Sequence, residues 1–398
     1  MSKIISGPVT IKVGGVVSGA PAWYNAQASG TWKNLGSSFM TGIGPMKLSG
    51  DAANCSEVTS TALFSYSGGY INNKSFYDRN GNLHLGASLG VWGGGHNAYG
   101  GNEVVLFKLR DNTPTWFRVR DAYSNPSYST SQNPDGTPNS RHTYQSIIYA
   151  PGTNELFSAV TGARLSQDGS SSNYSHSFDF NNPAPNGNAL VWKRNPDYPD
   201  PNTVAPSFFA EITGKVVVYD SVNNRAICWE GSRYRFAAFD FVTRTWSHVN
   251  EASNSPSSYS DRQAAAHSPT KKWVLLHTGD NTGYLRAADV SNLSTSAFIT
   301  LKTSGASPPG GSHGVTWDKM NSRFVVGGPS NTLYFCTPPT NLTDTWNWTQ
   351  VTGGGDNVEN PNWSGQGIWG RFGYVDDGVI RGFVTCTGPN ARPAFFKL

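Results

Sequence analysis

Residues 207–249 read SFFAEITGKVVVYDSVNNRAICWEGSRYRFAAFDFVTRTWSHV, and the fold follows from how this stretch is divided. Four apolar runs, each too short for a helix, are separated by turns rich in Gly, Asn and Asp. Val216, Val218 and Ile227 lie among β-branched and aromatic neighbours, the composition of strands. A run carrying Trp246 closes the unit. Working outward, the same pattern recurs. One copy starts at Arg141 and closes around Trp192, and another starts at Arg262. A further copy runs from His313 to Trp348, and an earlier one from Ala62 to Trp116.

The last unit begins at Arg371 and stops at Leu398 before any closing Trp run. Near the N-terminus, Gly30-Thr-Trp-Lys-Asn-Leu has the form of the missing strand. A ring of sheets closed by that strand would have no open edge at which unpaired backbone invites association. The expectation is therefore an all-β chain: a β-propeller of six or seven four-stranded blades, ring closed by an N-terminal strand. A seventh unit would have to lie within residues 45–105. Residues 1–28 read as a leader or attachment segment and 29–398 as the propeller.

Composition agrees. The 398 residues include 44 glycines and 24 prolines, and only 14% are charged, which argues against a helical bundle. An aromatic content of 13% is too high for a disordered chain. No run approaches the roughly 20 apolar residues of a membrane-spanning helix, so no membrane insertion is expected. With 30 basic and 26 acidic side chains and no basic tract, no nucleic-acid partner is expected. Cys55, Cys228, Cys336 and Cys386 form no Cys-x-x-Cys pair and read as small apolar residues. Residues 1–7 lack the apolar core of a secretory signal.

Residues 91–109, VWGGGHNAYGGNEVVLFKL, place Gly94-Gly95 ahead of Phe107 and, further on, Trp116. Gly327-Gly328, Tyr334 and Trp348 repeat that order. The segment resembles a kelch-type blade, and the resemblance implies a propeller like those of kelch and galactose-oxidase-like proteins. Glycines suit such positions because tight packing of blades around an axis leaves little room for a Cβ. No residue set matches the copper and crosslinked-tyrosine centre of galactose oxidase, so neither that activity nor any cofactor or metal is expected.

In propellers the first strand of each blade lines the axis, and ligands bind where the chain enters those strands. Arg141, His142 and Tyr144, then Arg262, His313, Trp369 and Arg371, fall at such entrances. His96 and Tyr99 lie in the Gly-rich loop of the earliest unit. Arginine forks suit uronate carboxylates and aromatic faces suit sugar rings, which points to an acidic polysaccharide as partner. The expected chemistry is β-elimination. His142, Tyr144 and His313 supply base and acid while Arg262 and Arg371 supply the charge that neutralises the carboxylate, and His96, Tyr99, Arg141, Trp369 and Arg371 bind substrate. Some polysaccharide lyases are propellers with central His, Tyr and Arg, a similarity of residue type and placement. No carboxylate pair of the kind glycoside hydrolysis requires stands out. In the plainer reading the histidines brace loops and the arginines pair with acids such as Asp261 and Asp376. The alternative function is non-catalytic glycan binding, as in a bacteriophage receptor-binding or virion decoration protein. Such a protein would be attached through residues 1–28 and would act outside the host cell.

Overall fold

The computed structural model describes residues 19–42, 67–78, 81–93, 102–120, 132–134, 136–139, 143–159, 175–182, 192–196, 215–230, 235–251, 263–278, 285–311, 313–328, 330–360 and 368–398. Among them are six blade sheets, each with four antiparallel strands meandering outward from an inner strand. The inner strands of blades 1 to 6 are Ser67–Asn72, Ile147–Ala150, Lys215–Asp220, Ala264–Ser268, Gly314–Asp318 and Phe372–Asp376. Each inner strand touches the next, and the sixth touches the first, so the sheets form a closed propeller.

The side chains show why these sequences make this ring. Alternate residues of a strand point to opposite sheet faces, and here both faces are buried. In Ile147–Ala150, Ile147 and Tyr149 join the cluster shared with blade 1, while Ile148 and Ala150 join the one shared with blade 3. Val216 and Val218 face blade 4, and Val217 between them faces blade 2. Six apolar clusters fill the six blade interfaces. The core is therefore distributed around the ring.

Closure occurs through the N-terminal strand. Thr31–Asn34 pairs antiparallel with Ala394–Lys397, Trp32 opposite Phe396. The Trp32 indole is buried, donates to the Asn331 carbonyl at 2.9 Å and packs on Phe396 at 5.3 Å. The short helix Ala22–Ala26 also docks here: Trp23 enters the cluster between blades 6 and 1. Lys397 Nζ donates to the Tyr24 and Gln27 carbonyls at 2.7 and 2.9 Å.

Blades 5 and 6 each carry a fifth, parallel edge strand formed by the incoming linker. Thr303–Gly305 lies on Trp346–Thr352, and Gly354–Gly355 lies on Thr31–Asn34. Gly305 pairs with Trp348 and Gly355 with Trp32. Both glycines have positive φ, 72° and 82°, and a Cβ on either would sit 2.3 Å from the paired tryptophan's carbonyl oxygen. The equivalence makes Trp32 the counterpart of Trp348 in blade 6.

Of residues 45–105, where a seventh unit would have to lie, the described part supplies strands of blade 1 and a two-stranded ribbon, Phe76–Tyr77 against Leu83–His84, inserted between the first two strands of that blade. Cys228, Cys336 and Cys386 are free and buried, in keeping with their apolar reading; Cys55 lies outside the described residues. Among the described residues no helix is long and apolar enough to cross a membrane.

The hairpins between first and second strands share one geometry. Asn154, Asn224, Lys272 and Ser322, each four residues past the end of an inner strand, adopt left-handed φ values of 57°, 48°, 56° and 50°. Asp220 and Asp318 brace their hairpins alike. Each accepts from two loop backbone N–H groups, from an asparagine side chain and from an arginine Nε.

Candidate functional site

Because the hairpins are equivalent, positions can be counted back from them to the opposite, entrance end of each inner strand. Ala150, Asp220, Ser268, Asp318 and Asp376 end their strands. Five residues before them stand Gln145, Lys215, Gln263, His313 and Arg371. Five of the six blades thus place a polar or charged residue at one level around the axis.

The side chains described at this level are buried: Gln263, His313 and Arg371 are 2%, 9% and 0% exposed, and Gln145 is similar. Among the described residues, Gln145 Oε1, both amide atoms of Gln263 and His313 Nδ1 have no hydrogen-bond partner. A buried polar group left unpaired costs about 1–3 kcal/mol, and native proteins keep few without a reason. Several at one level around one axis mark a place where a polar ligand or water completes the structure.

His313 sits in a histidine pair. Its ring lies 5.5 Å from that of His277 and 6.4 Å from that of Tyr334, and His277 Nε2 contacts the Pro309 carbonyl at 3.0 Å. Burial, and after it the charge of His277, push the His313 imidazole down to about 4, so it is neutral near pH 7. The kelch-like glycine pair serves this packing. A Cβ on Gly328 would come within 2.6 Å of the His313 ring, and one on Gly327 within 2.3 Å of Phe372 in the next blade.

The chain enters blade 6 through the 3₁₀ turn Trp369–Arg371. This turn touches the inner strands of blades 1, 4 and 5 and so lies across the ring. Gly370 packs against the Gly69 backbone so closely that a Cβ there would be 1.9 Å from the Gly69 carbonyl oxygen. Trp369 is buried and meets the buried Tyr144 ring edge-on at 5.0 Å. Both residues have positive φ, 48° and 42°, a conformation that costs a bulky side chain on the order of 1–3 kcal/mol. The Arg371 guanidinium lies 5.1 Å over the Trp369 ring, and its Nε donates to the Cys386 carbonyl at 3.3 Å. Burial lowers its pKa to about 10, still well above neutrality.

Tyr144, Trp369 and Arg371 are therefore brought together, and His313 is tied to them through Gly314, whose Cβ would lie 3.0 Å from the Trp369 carbonyl oxygen. His96, Tyr99, Arg141, His142 and Arg262 lie outside the described residues. Sequence reasoning missed Gln145, Gln263 and His277. The first two were legible as the fifth residue before the strand end, once the hairpin register was known. Among the described residues no group of three or more His, Cys, Asp or Glu side chains is arranged to hold a metal ion.

Inside the ring lies a cavity of about 250 Å³, lined by residues of blades 1, 2, 3, 5 and 6. Its walls include Ile71, Ile148, Phe372 and four tyrosines, Tyr70, Tyr149, Tyr219 and Tyr374.

No known protein family and no curated protein matches the chain. Similar solved structures include a protein of unknown function from Bacteroides thetaiotaomicron, with a TM-score of 0.47 and 10% identity, covering 92% of this chain and 75% of that one. A fungal alcohol oxidase of the AA5 family, in complex with copper, has a TM-score of 0.43 and 12% identity, covering 81% and 61%. YjhT has a TM-score of 0.42 and 12% identity, covering 84% and 93%. The propeller assignment itself stands on the strand order and ring closure of this chain.

Proposed function

We propose that the protein recognises an acidic, uronate-containing polysaccharide at the entrance end of its ring and cleaves it there by β-elimination. The observation that supports this reading is the level of buried polar residues, Gln145, Gln263, His313 and Arg371, with unpaired atoms on the first three. In the sequence, Arg141 and His142 stand just before Tyr144 and Gln145, and Arg262 just before Gln263. Cations and candidate acids and bases thus accompany polar groups that lack partners.

In the proposed reaction an arginine, Arg262 or Arg141, neutralises the uronate carboxylate and makes the C5 proton more acidic. A neutral imidazole takes that proton, the C4–O bond breaks with formation of the C4–C5 double bond, and an acid protonates the departing oxygen. Burial keeps His313 neutral near pH 7 while weakening it as a base, and His142 and Tyr144 are the other proton carriers. Arg371, His96, Tyr99 and Trp369 complete the proposed site, Arg371 and Trp369 by bracing it from within. The test is incubation with a panel of uronate-containing polysaccharides while ultraviolet absorbance of the unsaturated product and viscosity are followed. A rise in absorbance with falling viscosity is expected, and no change across the panel would refute the lyase reading.

A second reading, glycan binding without turnover, is favoured by the burial of Tyr144, Trp369 and Arg371, since packed side chains brace a site more readily than they perform chemistry. Retention on a glycan array with unchanged glycan length distinguishes it. Attachment to a bacteriophage virion through residues 1–28 belongs to this reading, and co-sedimentation with particles tests it.

A further inference from the structure

We infer that the axial cavity is a second binding site, for one neutral sugar ring, entered from the hairpin end of the propeller. Its partly exposed lining residues Asn73, Pro151 and Tyr219 stand at or near the ends of their inner strands. Gln145 and Ile147, at the other end of the lining, are buried. Beside them Tyr144 and Trp369 stack edge-to-face, buried and outside the lining. The cavity thus shares Gln145 with the entrance-end level but opens at the other end of the inner strands.

The lining specifies the ligand. No lining residue is charged, so neither a carboxylate nor an ammonium group would find a counter-ion. Gln145 lines the cavity and its Oε1 is a buried acceptor without a donor, which an occupant that donates a hydrogen bond would satisfy. Thr316 Oγ1 accepts from the Tyr374 N–H at 3.0 Å and keeps its own hydrogen to give. Asn73 donates one amide hydrogen toward the Tyr374 carbonyl at 3.4 Å and accepts from the Asp376 N–H at 3.1 Å, leaving a second hydrogen to donate. Acceptor and donors around one space match hydroxyl groups, which do both.

The tyrosines complete the fit. Tyr149 and Tyr219 spend their hydroxyl hydrogens on Asn154 and Asn224, at 2.6 and 2.7 Å, which holds the rings in the wall. Aromatic walls suit the C–H face of a pyranose. A cavity of about 250 Å³ lies just under the usual range for drug-sized ligands and accommodates a single ring.

The experiment uses the full chain. Saturation-transfer NMR and thermal melting are run with glucose, galactose, mannose and N-acetylglucosamine, and with their methyl glycosides to separate a free sugar from a chain end. At least one sugar is expected to show transfer and to raise the melting temperature at millimolar concentration. Gln145→Met keeps the side chain's length and removes the amide, acceptor and donor together. It is expected to weaken that sugar about tenfold without lowering the melting temperature of the free protein, because the lost oxygen had no partner. The inference is overturned if no neutral sugar responds, which leaves the cavity to water. It is equally overturned if Gln145→Met binds as well as the original, or if that variant melts several degrees lower without sugar, which would make the amide part of the fold. These readouts involve no acidic glycan, so their failure and that of the entrance-end reading are told apart.

Discussion

His313 and His267 show what burial does to a titrating side chain in this fold. Both are pushed down to about 4, chiefly by loss of water, with Asp220 pulling His267 the other way. The unfolded chain binds their protons near pH 6.5 and the folded chain does not. Their contribution to stability is therefore complete above pH 6.5 and is lost as pH falls toward 4, at about 1.4 kcal/mol per pH unit for each. Melting temperature is expected to fall steadily between pH 6.5 and 4, and His313→Gln, which cannot titrate, should flatten that fall. A melting temperature independent of pH across this window would contradict the burial argument. Asp220 and Asp377 have lowered values, so their losses come in the more acid range below their ordinary 3.8. The left-handed hairpin residues give a test of opposite sign. Lys272 is exposed, has φ of 56° and is not glycine. Lys272→Gly relieves that strain at some entropic cost and is expected to stabilise by up to about 1 kcal/mol, measured by denaturant unfolding.

Strands and linkers carry the next level of organisation. The strand Thr31–Asn34 holds the ring shut through one large side chain, Trp32, packed on Phe396 and bonded to Asn331. Trp32→Ala is expected to cost about 3–5 kcal/mol, the range for large-to-small changes in a packed core, and calorimetry or urea titration measures it. Its partner Gly355 must keep a positive φ and approach the Trp32 carbonyl. Gly355→Ala should therefore destabilise by more than about 1 kcal/mol, the size of the gain such a change brings where the backbone tolerates it. The same linker geometry at Gly305 and Trp348 means that Gly305→Ala should behave alike, a check on the equivalence of blades 5 and 6. Much of this level was legible in advance. A missing Trp strand in the last unit and a spare one near the N-terminus can be read without coordinates, because strand pairing needs only a complementary apolar pattern.

On the scale of the molecule, the core of the described residues lies in six interfaces between blades, so no blade buries its faces alone. Deleting residues 1–36 would leave the Ala394–Lys397 edge unpaired and strip Trp23, Trp32 and Leu35 from two interfaces. Such a protein is expected to aggregate on size-exclusion chromatography, since open edges template association. The sequence by itself determined the strands, the repeat and the strand that closes the ring, with the number of blades left at six or seven. These depend on local period and on turns, both written in neighbouring residues. Only the tertiary structure decided radial depth. Nothing local distinguishes an arginine that faces solvent from Arg371, buried beneath Trp369, or shows that His313 meets His277 from another blade. Depth around an axis is set by segments that are distant in the chain and meet only when the ring closes.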